Sequence, residues 1–418
     1  MFKSICSSSL RFAPALFLIP LLSRGLGSSF YGSFVTLTII GEIGNLFFEY
    51  SFNSLQANLV ASSTNINDKY KHLLVTIYIK MALFVLILPL SVLIAKAIFI
   101  HEALSSWWVV IFFVLFCSSS VFNLNWWFKA NAFFRTQMIS ELIVRYAFLL
   151  FVLLLNNQGF STSLYFEIVC LAYASIYFAV YGFFFVRTLH TIPVLNLKFS
   201  VANIFSNLSR GFPFFLSSSL GSSVSMFPQI FLAAYALPSY AGYFALAFRV
   251  QQTVKALFTP IFYKSFPHRV KISEFNPSIS APLLLFRFLS GTRFLLLLQM
   301  VLCAAVFVFS DYIIRVLGGL SFIPSSTILK VLAFTPIIYS LNQLLGVQSA
   351  IALGLGKQSN IVFLVSSVLS IASFFVVSLQ HASLLPFVVL ASEMLTFGSV
   401  CLLLYVSIRK NNKNAFSM

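Results

Sequence analysis

The sequence predicts an all-α integral membrane protein of about twelve transmembrane helices, with almost no mass outside the bilayer. Three observations carry this. Hydrophobic residues make up 60% of the 418 and charged residues only 8%, where a soluble domain is roughly 25% charged. Mean hydropathy is +0.97, so there is more apolar surface than a water-facing protein can cover. Apolar runs approaching the ~20 residues needed to cross a bilayer recur from one end of the chain to the other.

The spans, in order, are residues 10–23, 32–50, 73–94, 106–122, 139–155 and 164–186, then 213–233, 241–262, 294–316, 328–353, 361–379 and 385–407. The first follows Lys3 and Arg11 and resembles a signal sequence, but Ser23-Arg24-Gly25 rather than a small-residue cleavage site follows it, so it reads as an uncleaved helix. An even span count puts both termini on one side. With that side cytoplasmic, only Arg24, Lys96 and Arg315 of the 26 basic residues lie outside, and five lie within spans. This is the bias of the positive-inside rule. The net charge of +17 is therefore a topology signal: no Lys/Arg-rich run exists to bind nucleic acid.

The longest loops, residues 187–212 and 263–293, are both basic and predicted cytoplasmic. The first divides the chain into halves, 1–200 and 201–418. An echo between Pro20 with Phe30-Tyr31-Gly32 and Pro228 with Tyr240-Ala241-Gly242-Tyr243 aligns the opening hairpin of each half, as in parallel-repeat transporters.

Enzymatic chemistry finds little support. Asp68 and Asp311 are the only aspartates, and HExxH, Walker A and GxSxG motifs are missing. The histidines (His72, His101, His190, His268, His381) fall singly in expected loops. Cys6, Cys117, Cys170, Cys303 and Cys401 are scattered, with no CxxC spacing to suggest a zinc site or disulfide framework. No catalytic residue, metal site or cofactor is expected.

Function is to be sought among the ionisable residues within spans: Glu42, Glu49, Lys80, Glu141, Arg145, Glu167, Arg249, Lys255, Lys330 and Glu393. Each costs about 2.5–3.5 kcal/mol at a helix centre on insertion scales and so needs a partner or water. Glu42 and Glu49, seven apart, share nearly one helix face and either bind a coupling proton or sodium ion or pair with a neighbouring cation. Glu141 and Arg145 are an i,i+4 pair that neutralises itself or serves the cavity; Asp311 and Arg315 repeat the spacing at an outer boundary. Arg249 sits mid-span and is the favoured cavity cation. Lys255 points about 120° away from it and snorkels. Lys80, about 10 Å from the cytoplasmic end, either snorkels or faces a cavity, Lys330 snorkels, and Arg24 is a cavity or interfacial residue. The anion-binding candidates are thus Arg249, Lys80, Arg145, Lys255 and Arg24; the ion-coupling candidates are Glu42, Glu49, Glu141 and Glu393.

Four ordered motifs carry a family resemblance. Pro20 to Gly27 (PLLSRGLG) with Tyr31-Gly32 resembles the first hairpin of Wzx-type polysaccharide repeat-unit flippases. Asn125-Trp126-Trp127-Phe128 is similar to their segment after helix four, Tyr240 to Arg249 (YAGYFALAFR) to their helix-eight opening, and Leu353-Gly354-Leu355-Gly356-Lys357 to their helix 10–11 turn. Phe48-Glu49-Tyr50-Ser51-Phe52-Asn53 departs from the pattern, with Ser51 where glycine is common.

The resemblance implies the multidrug/oligosaccharidyl-lipid/polysaccharide (MOP) exporter superfamily and two six-helix bundles around a central cavity. It implies a substrate too, an anionic oligosaccharide on undecaprenyl diphosphate, passed to the outer leaflet of the bacterial inner membrane by rocking bundles. The partners implied are membrane lipid, a proton or sodium ion, and a polysaccharide polymerase with chain-length proteins. The alternatives are a cation-coupled drug or small-solute exporter on the same fold and, from another class, a membrane O-antigen polymerase, against which the short outer loops speak.

Overall fold

The chain, seen in a computed structural model, is described over residues 2–98, 107–156, 158–191, 201–275, 290–350 and 353–416. The loop residues 192–200 and 276–289 therefore lie outside the described residues, with Lys198 and Arg287 among them, and so does His101. Two compact units divide at residue 219, Met1–Ser219 and Leu220–Met418. The division falls inside a helix, beyond the break after residue 200 read from the loops.

The first unit begins with α1 (Phe2–Glu49), which is two helices meeting at Gly27, where φ is 70° and ψ 176°. Only glycine adopts that conformation without cost, so the first two expected spans join here without a long loop. A π-helical stretch, Phe52–Gln56, and α2 (Ala57–Ser62) follow. Next come α3 (Ile66–Ile98), α4 (Trp107–Phe122), the short α5 (Asn125–Ala130), α6 (Phe134–Leu155) and α7 (Thr162–Leu189). Helix α8 (Val201–Tyr235) carries the chain into the second unit. That unit continues with α9 (Pro238–Phe275), α10 (Arg293–Val308), α11 (Ser310–Gly318), α12 (Ser325–Leu332), α13 (Thr335–Leu341), a π-helical stretch (Asn342–Ser349), α14 (Gly356–His381) and α15 (Leu385–Phe416).

Every expected span has a helical counterpart, with corrections at the ends and in two interiors. Helix α8 starts at Val201, inside an expected loop, and α9 runs on to Phe275, into another. His72, His268 and His381, read as loop residues, also lie on helices, α3, α9 and α14. The span 294–316 is bent by 72° between α10 and α11, where Ser310 and Asp311 interrupt the apolar run. The span 328–353 breaks at Ala333-Phe334, because Pro336 in the first turn of α13 has no N–H for the preceding turn. Among the described residues, seven helical stretches are long and apolar enough to cross a membrane, or eight with the bent pair taken as one.

Two helices turn small polar residues inward and large apolar ones outward. On α14 the buried positions include Ser359, Ser366, Ser370 and Ser378, while Ile361, Val365, Val368, Leu369, Val376 and Leu379 are exposed. Small residues let helices approach closely in lipid, where apolar side chains gain nothing by turning inward. The hydroxyls of Ser359, Ser370 and Ser378 in turn donate to backbone carbonyls, as in Ser370 to Ser366 at 2.7 Å. On α3 the same logic exposes Tyr78, Met81, Val85, Leu86 and Leu93 and buries Lys80 and Ser91.

The interior of the first unit is aromatic. Tyr173 of α7 meets Phe34 (5.7 Å), Phe116 (5.8 Å) and Phe148 (5.0 Å) from three other helices. In the second unit, the turn after α11 is tight. A Cβ on Gly318 would lie 2.6 Å from Phe322 Cβ and 2.7 Å from Leu246 Cδ2. Gly318→Ala is therefore expected to destabilise the protein by the ~1–3 kcal/mol typical of overpacking. A clear drop in melting temperature in detergent would show it; an unchanged melting temperature would contradict this packing.

Candidate functional site

Each unit holds a cluster of buried and half-buried polar residues. In the first unit the key element is Lys80, 1% exposed on α3. Its Nζ donates to the carbonyls of Ser120 (3.2 Å) and Asn123 (2.9 Å). These lie at the C-terminal end of α4, where the ladder stops before α5 and carbonyls lose their helical donors. A cation there also meets the negative end of the helix dipole. Lys80 thus neither snorkels nor lies open; it closes the break that lets Asn125-Trp126-Trp127 turn into α5.

Carboxylates surround this break. Glu49, in the last turn of α1, accepts a hydrogen bond from Asn53 Nδ2 at 2.7 Å and lies within electrostatic range of Lys80 and Glu141. Glu141 accepts from Gln137 Nε2 at 3.2 Å and, more distantly, from Asn125 Nδ2 at 3.5 Å. Tyr181 of α7 lies within range of Glu141, Arg145 and Glu49. Above it, Tyr177 and Tyr173 continue the same helix face, with ring centroids 5.8 and 4.7 Å apart and hydroxyls 3.2 Å apart at the inner pair. Glu42 is half-buried on α1. Arg24 is exposed near the Gly27 break.

In the second unit Lys255 and Glu393, assigned to different roles from the sequence, form one ion pair. Lys255 Nζ is 3.5 Å from Glu393 Oε1, and the two side chains are 15% and 19% exposed. The same Nζ sits 3.5 Å from the centroid of the Tyr339 ring. Glu393 is held from its other side by Asn342 Nδ2, which donates to Oε2 (3.2 Å) and to the backbone carbonyl of residue 393 (3.3 Å). Lys255 therefore does not snorkel. The ion pair joins α9 to α15 beside the π-helical turn that begins at Asn342. Arg249 is exposed on α9.

Around this pair lie residues that charge counting overlooks. Gln251 Nε2 donates to Thr335 Oγ1 (2.7 Å), and Gln299 Nε2 donates to the carbonyl of Pro336 (3.0 Å). Both amides brace the break between α12 and α13, and both are 3% exposed or less. The signal was present as amides inside apolar runs, such as Gln299 after four leucines. The outer-boundary pair is also rearranged. Asp311 pairs with Lys330 Nζ at 2.9 Å, so Lys330 does not simply snorkel, and the expected i,i+4 partner Arg315 is not the ion-pair partner at that distance.

No protein-family model matches the chain, and no curated protein does. Solved structures do resemble it. A multidrug resistance MATE family transporter of the MOP superfamily, in its inward-facing conformation, aligns with a TM-score of 0.70 at 13% identity, over 97% of this chain and 99% of that one. The lipid II flippase MurJ, in an inward closed conformation, aligns at 0.69 and 17% identity, over 98% and 87%. An outward-facing MATE transporter aligns at 0.59 and 12% identity, over 97% and 94%. Identities this low speak for fold alone: the chain is a multi-pass membrane protein with the twelve-helix, two-bundle fold of MATE transporters and MurJ.

Proposed function

We propose that the chain is a flippase that moves an oligosaccharide on undecaprenyl diphosphate from the cytoplasmic to the outer leaflet of a bacterial inner membrane, by alternating access coupled to an ion. The observation that carries the reading is Lys255. A lysine within an expected membrane span, held between a carboxylate and a tyrosine face, is costly in lipid unless the charge has a use. An anionic head group is such a use. Arg249, on the same helix, adds a planar fork of donors suited to phosphate. The likeness to a lipid II flippase supports a lipid-linked substrate, and the sequence motifs support a polysaccharide repeat unit.

In this reading Glu49 and Glu141, with Glu42, supply the ion-coupling carboxylates, and Arg145 and Arg24 are further contacts for substrate charge. Lys80 is assigned a positioning role, because its donors already serve α4. The likeness to MATE transporters and the carboxylate-rich cluster around Glu49 favour a second reading, a cation-coupled exporter of small solutes.

The two part on one experiment. In cells lacking this chain, surface glycan is expected to disappear, with complete single repeat units trapped on lipid facing the cytoplasm. Units that reach the outer leaflet but are not joined would point to a polymerase, and unchanged glycan would favour the solute exporter.

A further inference from the structure

We propose that Glu393 is the resident counter-ion of a diphosphate site centred on Lys255, and that ligand binding transfers the Lys255 ammonium from Glu393 to the diphosphate. The inference rests on the anionic head group of the flippase reading and says how that group is admitted and released.

The geometry makes the two partners unequal. Glu393 is fixed at two points by Asn342, through Oε2 and through its own backbone carbonyl. Lys255 is held by one ion pair of 3.5 Å and one ring contact of 3.5 Å. It is the partner on a flexible four-carbon stem with a compact, rotatable donor head. When a second anion approaches, the ammonium moves and the carboxylate stays.

Tyr339 fits the exchange. A ring face attracts a cation without neutralising it, so Tyr339 can keep hold of the ammonium while its anionic partner changes. Asn342 is only 2% exposed, and its Oδ1 has no hydrogen-bond partner among the described residues. A buried amide oxygen left unpaired is costly in a finished structural pair. Here it leaves one acceptor beside the carboxylate for a water or a ligand hydroxyl.

An empty site with an unpaired lysine would be expensive in lipid, and so would a full site from which the ligand could not leave. Glu393 answers both. It neutralises Lys255 when no ligand is bound and competes for it when one is. Glu393 would then set affinity against turnover, rather than merely joining α9 to α15.

The test uses the purified full chain in detergent, with farnesyl diphosphate as probe and farnesol as its uncharged control, by titration calorimetry. Glu393→Gln keeps the shape and an acceptor for Asn342 but removes the competing charge. It is expected to bind farnesyl diphosphate roughly tenfold more tightly than the native chain, about 1.4 kcal/mol. Lys255→Gln and the double variant are expected to bind it at least roughly tenfold more weakly by the same conversion, with farnesol binding unchanged throughout. Glu393→Asp, which only lengthens the pair, is expected to fall between native and Glu393→Gln, and it serves if the glutamine variant does not fold. Equal diphosphate affinity in native and Glu393-substituted chains would overturn the exchange while leaving the flippase reading intact. No diphosphate binding by the native chain would overturn both.

Discussion

Lys80→Met is expected to abolish the accumulation of folded protein. Methionine matches lysine in length and packs comparably in an apolar interior, so the change isolates the charge and its donors. In the native chain Nζ serves two buried carbonyls, of Ser120 and Asn123, and is the cation within range of Glu49. Hydrogen bonds to a charged group are worth about 1.5–3 kcal/mol each. Losing two, with carbonyls stranded at a helix break, approaches the whole stability of a typical domain, about 5–15 kcal/mol. The check is the monodisperse yield and melting temperature of Lys80→Met beside Lys80→Arg, which keeps a donor and is expected to recover part of both. A Lys80→Met protein that melts with the native one would mean that α4 does not need its capping cation.

The second large effect is expected at Lys255, and it separates stability from transport. Lys255→Gln leaves Glu393 as an uncompensated charge inside the bundle, a change that costs about 3–5 kcal/mol for buried pairs. The partial exposure of both side chains, 15% and 19%, places the expected loss at or below the lower end. Adding Glu393→Gln removes the stranded charge, so the double variant is expected to regain most of the native melting temperature. Surface glycan is nevertheless expected to stay absent, because the cation that meets the head group is gone. If the double variant regained glycan as well as stability, the pair would be structural and the substrate would be held elsewhere.

What could be read from the sequence follows from how strongly each feature is marked in it. Long apolar runs mark the spans, so each of the twelve expected ones meets a helical stretch among the described residues. Helix ends were less legible, because α8 and α9 extend beyond the apolar runs in polar residues that resemble loops. The break at Ala333-Phe334 was marked by Pro336, but a proline in an apolar span also occurs where the helix continues, as at Pro89 in α3.

Candidate residues were legible as a set but not as partners. Seven-residue and four-residue spacings report only on one helix. The contacts that matter for Lys80, Lys255 and Lys330 run between helices: to α4, to α15 and to Asp311 of α11. Helical spacing could suggest Asp311 with Arg315, whereas tertiary packing delivered Lys330. Gln251 stands out in the sequence only as a polar neighbour of Arg249 and Asn53 only within a family motif, and Gln299, Gln137 and Asn342 not at all, because a search by charge passes over neutral groups. In lipid a neutral amide also needs a partner, and these five tie together the breaks and turns on which the charged residues sit.

The most direct test of the central proposal is transbilayer movement with the purified chain alone. Proteoliposomes would carry an undecaprenyl-diphosphate-linked oligosaccharide in both leaflets, and a membrane-impermeant glycosidase would be added outside. With the native chain the protected inner-leaflet pool is expected to become accessible, while protein-free liposomes and those carrying Lys255→Gln/Glu393→Gln keep it protected. A pool that stays protected with the native chain, in vesicles where the same protein exchanges an organic cation for protons, would contradict the flippase and establish the small-solute exporter.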